Sequence, residues 1–130
     1  MYTATTKGVR VSVRSSFDHE RSEPEEHRYF WTYQIEIANV GERTVQLTHR
    51  HWRIIDALGR DRDVRGPGVV GEQPTLKPGQ KFQYTSGCPL TTPSGIMDGT
   101  FLMVDEDGAA FDVKVPTFSL DSPSPRGRMN

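Results

Sequence analysis

The chain has 130 residues, the usual length of one domain, and can bury a core large enough to need no disulfide or structural metal. Sixteen basic and seventeen acidic residues leave a net charge of −1, which excludes the basic bias of a nucleic-acid binder or a membrane-surface protein. A single cysteine, no apolar leader-like start and no run of eighteen apolar residues predict a cytoplasmic protein without membrane insertion.

Val9, Val11 and Val13 alternate with Arg10, Ser12 and Arg14, the period of a strand with one wet face. Residues 15–28 are polar, acidic and interrupted by Pro24, and predict an exposed, mobile connection. Alternation then returns strongly. Tyr29, Trp31, Tyr33, Ile35 and Ile37 share one face of what should be the longest strand, at the centre of a sheet. Residues 39–42, with an asparagine and a glycine, form a turn.

Val45 and Leu47 point inward on the next strand, yet Trp52 and Ile54 continue it at the opposite parity. A bulge between Leu47 and Trp52 restores the inward face, and puts His49, Arg50 and His51 at a kink. Residues 56–59 make a hairpin turn, and residues 62–65 a short polar strand that runs into a glycine loop. Pro78-Gly79 suits a type II turn before a strand carrying Phe82 and Tyr84. Residues 87–95 read as a proline-rich crossing connection. Met97, Gly99, Phe101 and Met103 mark a strand, residues 105–108 a tight turn, and Phe111, Val113 and Val115 the last main strand. One domain over residues 1–120 is followed by a disordered tail, residues 121–130.

About seven strands with closely spaced turns and no amphipathic helix predict an all-β antiparallel sandwich of the fibronectin type III or immunoglobulin-like kind. One cysteine rules out the immunoglobulin disulfide. Trp31, Tyr33, Ile35, Ile37, Leu47, Phe82, Phe101, Met103, Phe111 and Val113 are the expected core.

Residues 66–87 organise the chain, and Gly66, Gly68 and Gly71 carry a G-x-G-x-x-G spacing. A dinucleotide site needs a helix after the last glycine, but Pro74, Pro78 and Gly79 forbid one, and no Gly-Lys-Ser/Thr follows to make a phosphate loop. Two readings stay open. The amides of residues 68–71 form an anion nest with Arg65 beside them, or the glycines serve a tight connection that needs positive φ. Twelve of the sixteen basic residues are arginine, and six of them fall in residues 43–65, which makes that stretch a candidate binding surface or a set of solvated strand faces.

His49 and His51 share a face, but two ligands do not make a metal site, so neither metal nor cofactor is expected. Asp105, Glu106 and Asp107 before Gly108 suit a hairpin better than a calcium loop. No catalytic motif is present, and Cys88 before Pro89 reads as a small half-buried residue.

The stretches 50–56 (RHWRIID), 64–74 (VRGPGVVGEQP), 76–79 (LKPG), 84–87 (YTSG) and 97–101 (MDGTF) together resemble the ApaG family, also called CorD in bacteria, across residues 9–120. The resemblance implies a fibronectin III-like sandwich and no enzymatic activity. It also implies a link to cobalt tolerance and magnesium efflux, and a role in protein recognition, since similar domains are fused to an F-box protein and to a DNA-polymerase-interacting protein. Gly66, Gly68, Val69, Val70 and Gly71, with Arg50, His51 and Trp52, carry over as the functional surface. The expected function is non-enzymatic protein recognition by the loop and the adjacent sheet face, with Trp52 as an anchor if exposed. The alternative is a pyrophosphate or nucleotide held at the glycine loop, with a divalent cation.

Overall fold

The alternating stretches become nine strands in the computed structural model, which describes residues 1–123. They are β1 (Tyr2–Thr6), β2 (Val9–Phe17), β3 (Tyr29–Asn39), β4 (Val45–Asp56), β5 (Asp61–Pro67), β6 (Thr75–Leu76), β7 (Lys81–Leu90), β8 (Ser94–Asp105) and β9 (Ala110–Asp121). All pairings are antiparallel. One sheet has the order β1-β2-β3-β7, and the other β5-β4-β8-β9 with β6 also on β4. The sandwich is therefore as the alternation predicts, with β1 and the two-residue β6 added to the expected seven strands.

The valines of β2 and the aromatic and isoleucine face of β3 form one half of the core. Leu47, Trp52 and Ile54 of β4, with Met97, Phe101 and Met103 of β8, form the other half. Burying each such side chain contributes about 1.5–3 kcal/mol. Phe82 and Phe111, expected in the core, are only half-buried at its rim.

The parity switch in β4 is a bulge. Leu47 pairs with Met103 and His49 with Leu102, so Thr48 is the extra residue. The kink thus lies one residue before His49, Arg50 and His51, which sit in regular pairing opposite Pro67, Gly66 and Arg65. A second bulge shifts the register of β8 and β9 between Met97 and Gly99, where Phe118 and Val115 are the partners. It flips β9 from odd to even inward residues and buries Phe118 and Leu120, which alternation ending at Val115 did not reveal.

Three further expectations change. β3 lies inside its sheet, but with 11 residues it is shorter than β4, β8 and β9, with 12 each. The crossing connection shrinks to residues 91–93, because β7 is an edge strand and tolerates Pro89 where one side has no ladder to break. Residues 15–28 are tied down. β2 runs to Phe17, a single 3-10 turn covers Pro24–Glu26, and Ser22 Oγ accepts from Phe30 N–H at 2.9 Å while donating to Asp18 O at 2.7 Å. Asp121 still pairs with Ser94, and residues 124–130 of the expected tail lie outside the described residues.

The two sheets meet unequally at their sides. β1 lies beside β9, with Tyr2 Oη 3.0 Å from Ser119 Oγ, while on the other side β5 and β7 end their sheets unpaired. Asn39 ties the two sheets near one end: its side-chain amide donates to Arg43 O (2.7 Å) and Leu76 O (2.9 Å), and its Oδ1 accepts from Gly41 N–H. Being buried, it leaves these groups unpaired if truncated. Asn39→Ala should lower unfolding free energy by about 1–3 kcal/mol in urea titration with an unchanged m value, whereas a change below 0.5 kcal/mol would deny it this role.

Candidate functional site

β5 and β6 lie along the same side of β4, and the chain between them, residues 68–74, spans the Thr48 bulge. Thr48 O, freed from strand pairing there, accepts from Gly68 N–H at 2.8 Å and from Gln73 Nε2 at 2.9 Å. Leu47 N–H donates to Pro74 O, and Gln46 Nε2 to Gln73 O. The loop is stapled at both ends.

Between those ends Val69 and Glu72 exchange both backbone hydrogen bonds, at 2.8 and 2.9 Å. Val70 and Gly71 are the two central residues of this tight turn, with φ of +44° and +82°, the signs of a type I′ hairpin. Gly68 also has positive φ, +61°, and a Cβ there would lie 2.2 Å from Glu72 O, so only glycine closes the loop. Gly66 serves a different contact. The Arg50 guanidinium lies against it, 3.0 Å from where a Cβ would be, and Arg50 Nη1 donates to Pro67 O (2.9 Å) and Gly68 O (3.0 Å). An arginine held by two backbone carbonyls braces the loop.

The predicted site residues thus divide. Arg50, Gly66, Gly68, Val69, Val70 and Gly71 come together. Arg65 does not stand beside the loop amides: it follows the outward parity of β5, opposite His51, and lines a shallow groove with His49, His51 and Asp112. There His51 Nε2 lies 2.9 Å from Asp63 Oδ1, and this hydrogen bond holds the Asp63 carboxyl below its ordinary range. Trp52 is 4% exposed and packs edge-on against Tyr33, Phe101 and Phe118, so it is core and not a surface anchor. The bulge reverses parity before it, and an inward Trp52 follows from the same signal that revealed the bulge.

The nest reading also meets the geometry. Of the amides of residues 68–71, those of Gly68 and Val69 are already committed to Thr48 O and Glu72 O. Thr48, Glu72 and Gln73, which shape the loop, escaped the sequence reading. Only the unpaired parity step pointed to Thr48.

Val69 is buried in the core while Val70 stands 54% exposed. Arg50 and Val69 also form one wall of a cleft of about 280 Å³ between β5 and β7, which Tyr33, Tyr84 and Cys88 line from the other sheet. Burial pushes the Cys88 thiol up to about 11 from an ordinary 9.0, with Arg62 pulling it slightly back.

The sequence model of the ApaG domain (DUF525) matches residues 19–105, from the connection before β3 to the end of β8, loop included. The chain belongs to the ApaG family. It is 54% identical to Protein ApaG of Paramagnetospirillum magneticum and 55% to that of Beijerinckia indica, in both cases over 100% of each chain. A crystal structure of an ApaA protein from Bordetella pertussis matches with a TM-score of 0.87 at 45% identity, over 88% of this chain and 94% of that one. The C-terminal domain of wzt shares the fold alone, with a TM-score of 0.56 and 10% identity over 95% of this ApaG-family chain and 78% of its own. No helix among the described residues is long and apolar enough to cross a membrane.

Two measurements check this site. Gly68→Ala and Gly71→Ala both place a side chain at positive φ, for about 1–2 kcal/mol, but only Gly68→Ala adds a clash with backbone; it should lower urea stability clearly more than Gly71→Ala, and equal losses would remove the closed loop. The folded thiol of Cys88 holds its proton longer than the unfolded one, so the unfolded state binds fewer protons above pH 9 and stability falls as pH rises towards 11. Between about pH 8.5 and 9.5, below the ordinary tyrosine value of 10.0, Cys88→Ala should flatten that decline; an unchanged slope would deny the thiol this part.

Proposed function

We propose that this ApaG-family chain is a non-enzymatic recognition module that presents the loop at residues 66–73 to a partner protein in the cytoplasm. Val70 carries the reading. A β-branched residue at φ +44° costs about 1–2 kcal/mol, and Asn or Gly at that turn position would relieve it. The strain is held by a stapled loop and an arginine brace, and what it displays is an exposed apolar side chain. Strain kept at an exposed site points to function more than to stability.

The pyrophosphate alternative has less support, since half of the four loop amides are used within the protein. For the link to cobalt tolerance and magnesium efflux, the favoured reading acts through the partner: no group of three His, Cys, Asp or Glu side chains converges among the described residues.

Val70→Asn separates binding from folding. It should raise stability by about 0.5–1 kcal/mol while failing to restore cobalt tolerance to cells lacking their own ApaG-family gene, and losing the protein that wild-type chain captures from their lysate. Full restoration by Val70→Asn, with capture unchanged, would sink the reading.

A further inference from the structure

The cleft between β5 and β7 has chemistry that the loop does not use. Its apolar lining includes the buried Trp52 and Met97 with Val64, and its charged lining groups are Arg50 and Arg62, with no carboxylate among them. Arg62 makes no ion pair among the described residues, in contrast to Arg53 and Arg60 on the same hairpin, which pair with Asp61 and Asp56. The Tyr84 hydroxyl is buried with no hydrogen-bond partner, the single such side-chain atom among the described residues. Buried donors are nearly always paired, so an orphan lining a cleft marks a missing acceptor.

We propose that this cleft binds a small free carboxylic acid with an apolar body. Its carboxylate accepts from the Tyr84 hydroxyl and from the part of the Arg50 guanidinium not held by the loop carbonyls, with Arg62 at the mouth. The body packs against the apolar lining. About 280 Å³ is at the small end of ligand cavities, which begin near roughly 300 Å³, so the body is one ring or a short branched chain. A small turn of the Tyr84 side chain, of the kind common on binding, brings its covered hydroxyl onto the ligand. Burial raises the Tyr33, Tyr84 and Cys88 groups above their ordinary values, so they face an anion as neutral donors. Carboxylate is favoured over phosphate because the remaining donors form one short edge beside apolar walls, which suits a planar anion.

The site shares the Val69 and Val70 wall with the recognition loop but does not depend on that reading. Isotope-labelled full chain titrated with sodium benzoate should show saturable amide shifts around Tyr84, Cys88, Val64 and Arg50, and the neutral isostere benzamide should show none. Tyr84→Phe should fold with at least wild-type stability, having lost an unpaired hydroxyl, yet bind benzoate about tenfold more weakly. Arg62→Gln, which breaks no ion pair among the described residues, should also weaken it, whereas Lys114→Gln, on β9 and outside the cleft lining, should not. Absence of shifts, equal shifts with benzamide, stronger shifts with inorganic phosphate, or undiminished binding by Tyr84→Phe would each overturn the proposal.

Discussion

The Thr48 carbonyl is the group on which the glycine loop and its brace depend. A strand residue in regular pairing has its carbonyl engaged by a neighbouring strand, but the bulge between Leu47 and His49 sets Thr48 apart, at the point where β5 has left β4 and β6 has not yet joined. That carbonyl accepts two donors from the loop and so closes it. The same extra residue turns Arg50 inward, where its guanidinium reaches the Pro67 and Gly68 carbonyls, on either side of the Gly68 Cα. One inserted residue therefore supplies both halves of the brace, the acceptor and the donor. Without it, Arg50 would face solvent and Trp52 would leave the core.

This brace explains how a small sandwich keeps a strained valine on display. Loops rich in glycine are usually the mobile parts of a domain, since glycine loses the most freedom on ordering. Here each glycine answers a contact or a dihedral, and Val69, buried between the sheets, anchors the turn from below. The exposed Val70 and the cleft beneath it lie on the side where β5 and β7 end their sheets, the side left open because β1 and β9 close the other. Two sheet edges and a cleft lined by Arg50 and Arg62 thus gather on that side.

Much of this was legible in the sequence because alternation is a direct imprint of the pleat. Period two located β2, β3, β4, β7 and β8, proline and glycine located the turns, and the switch of parity between Leu47 and Trp52 by itself demanded a bulge. The second bulge left no such trace, since Pro116 and Thr117 interrupt the apolar pattern just where β9 changes parity, and the alternation that marks the last strand stops at Val115, short of Phe118 and Leu120.

The chain by itself determined the strands, the loop and the residue types gathered in it, because these rest on local sterics and on side-chain period. Only the tertiary structure decided that Arg50 and not Arg65 meets the loop, that Trp52 lies in the core, and that two of the loop amides are spent on the protein's own carbonyls. Those outcomes turn on contacts with partners far away in the chain, such as Gln73 reaching Thr48 across 25 residues, or Tyr33 packing on Trp52 from the opposite sheet. Parity says which side chains share a face, but which face is covered, and by what, is settled only when two sheets close on each other.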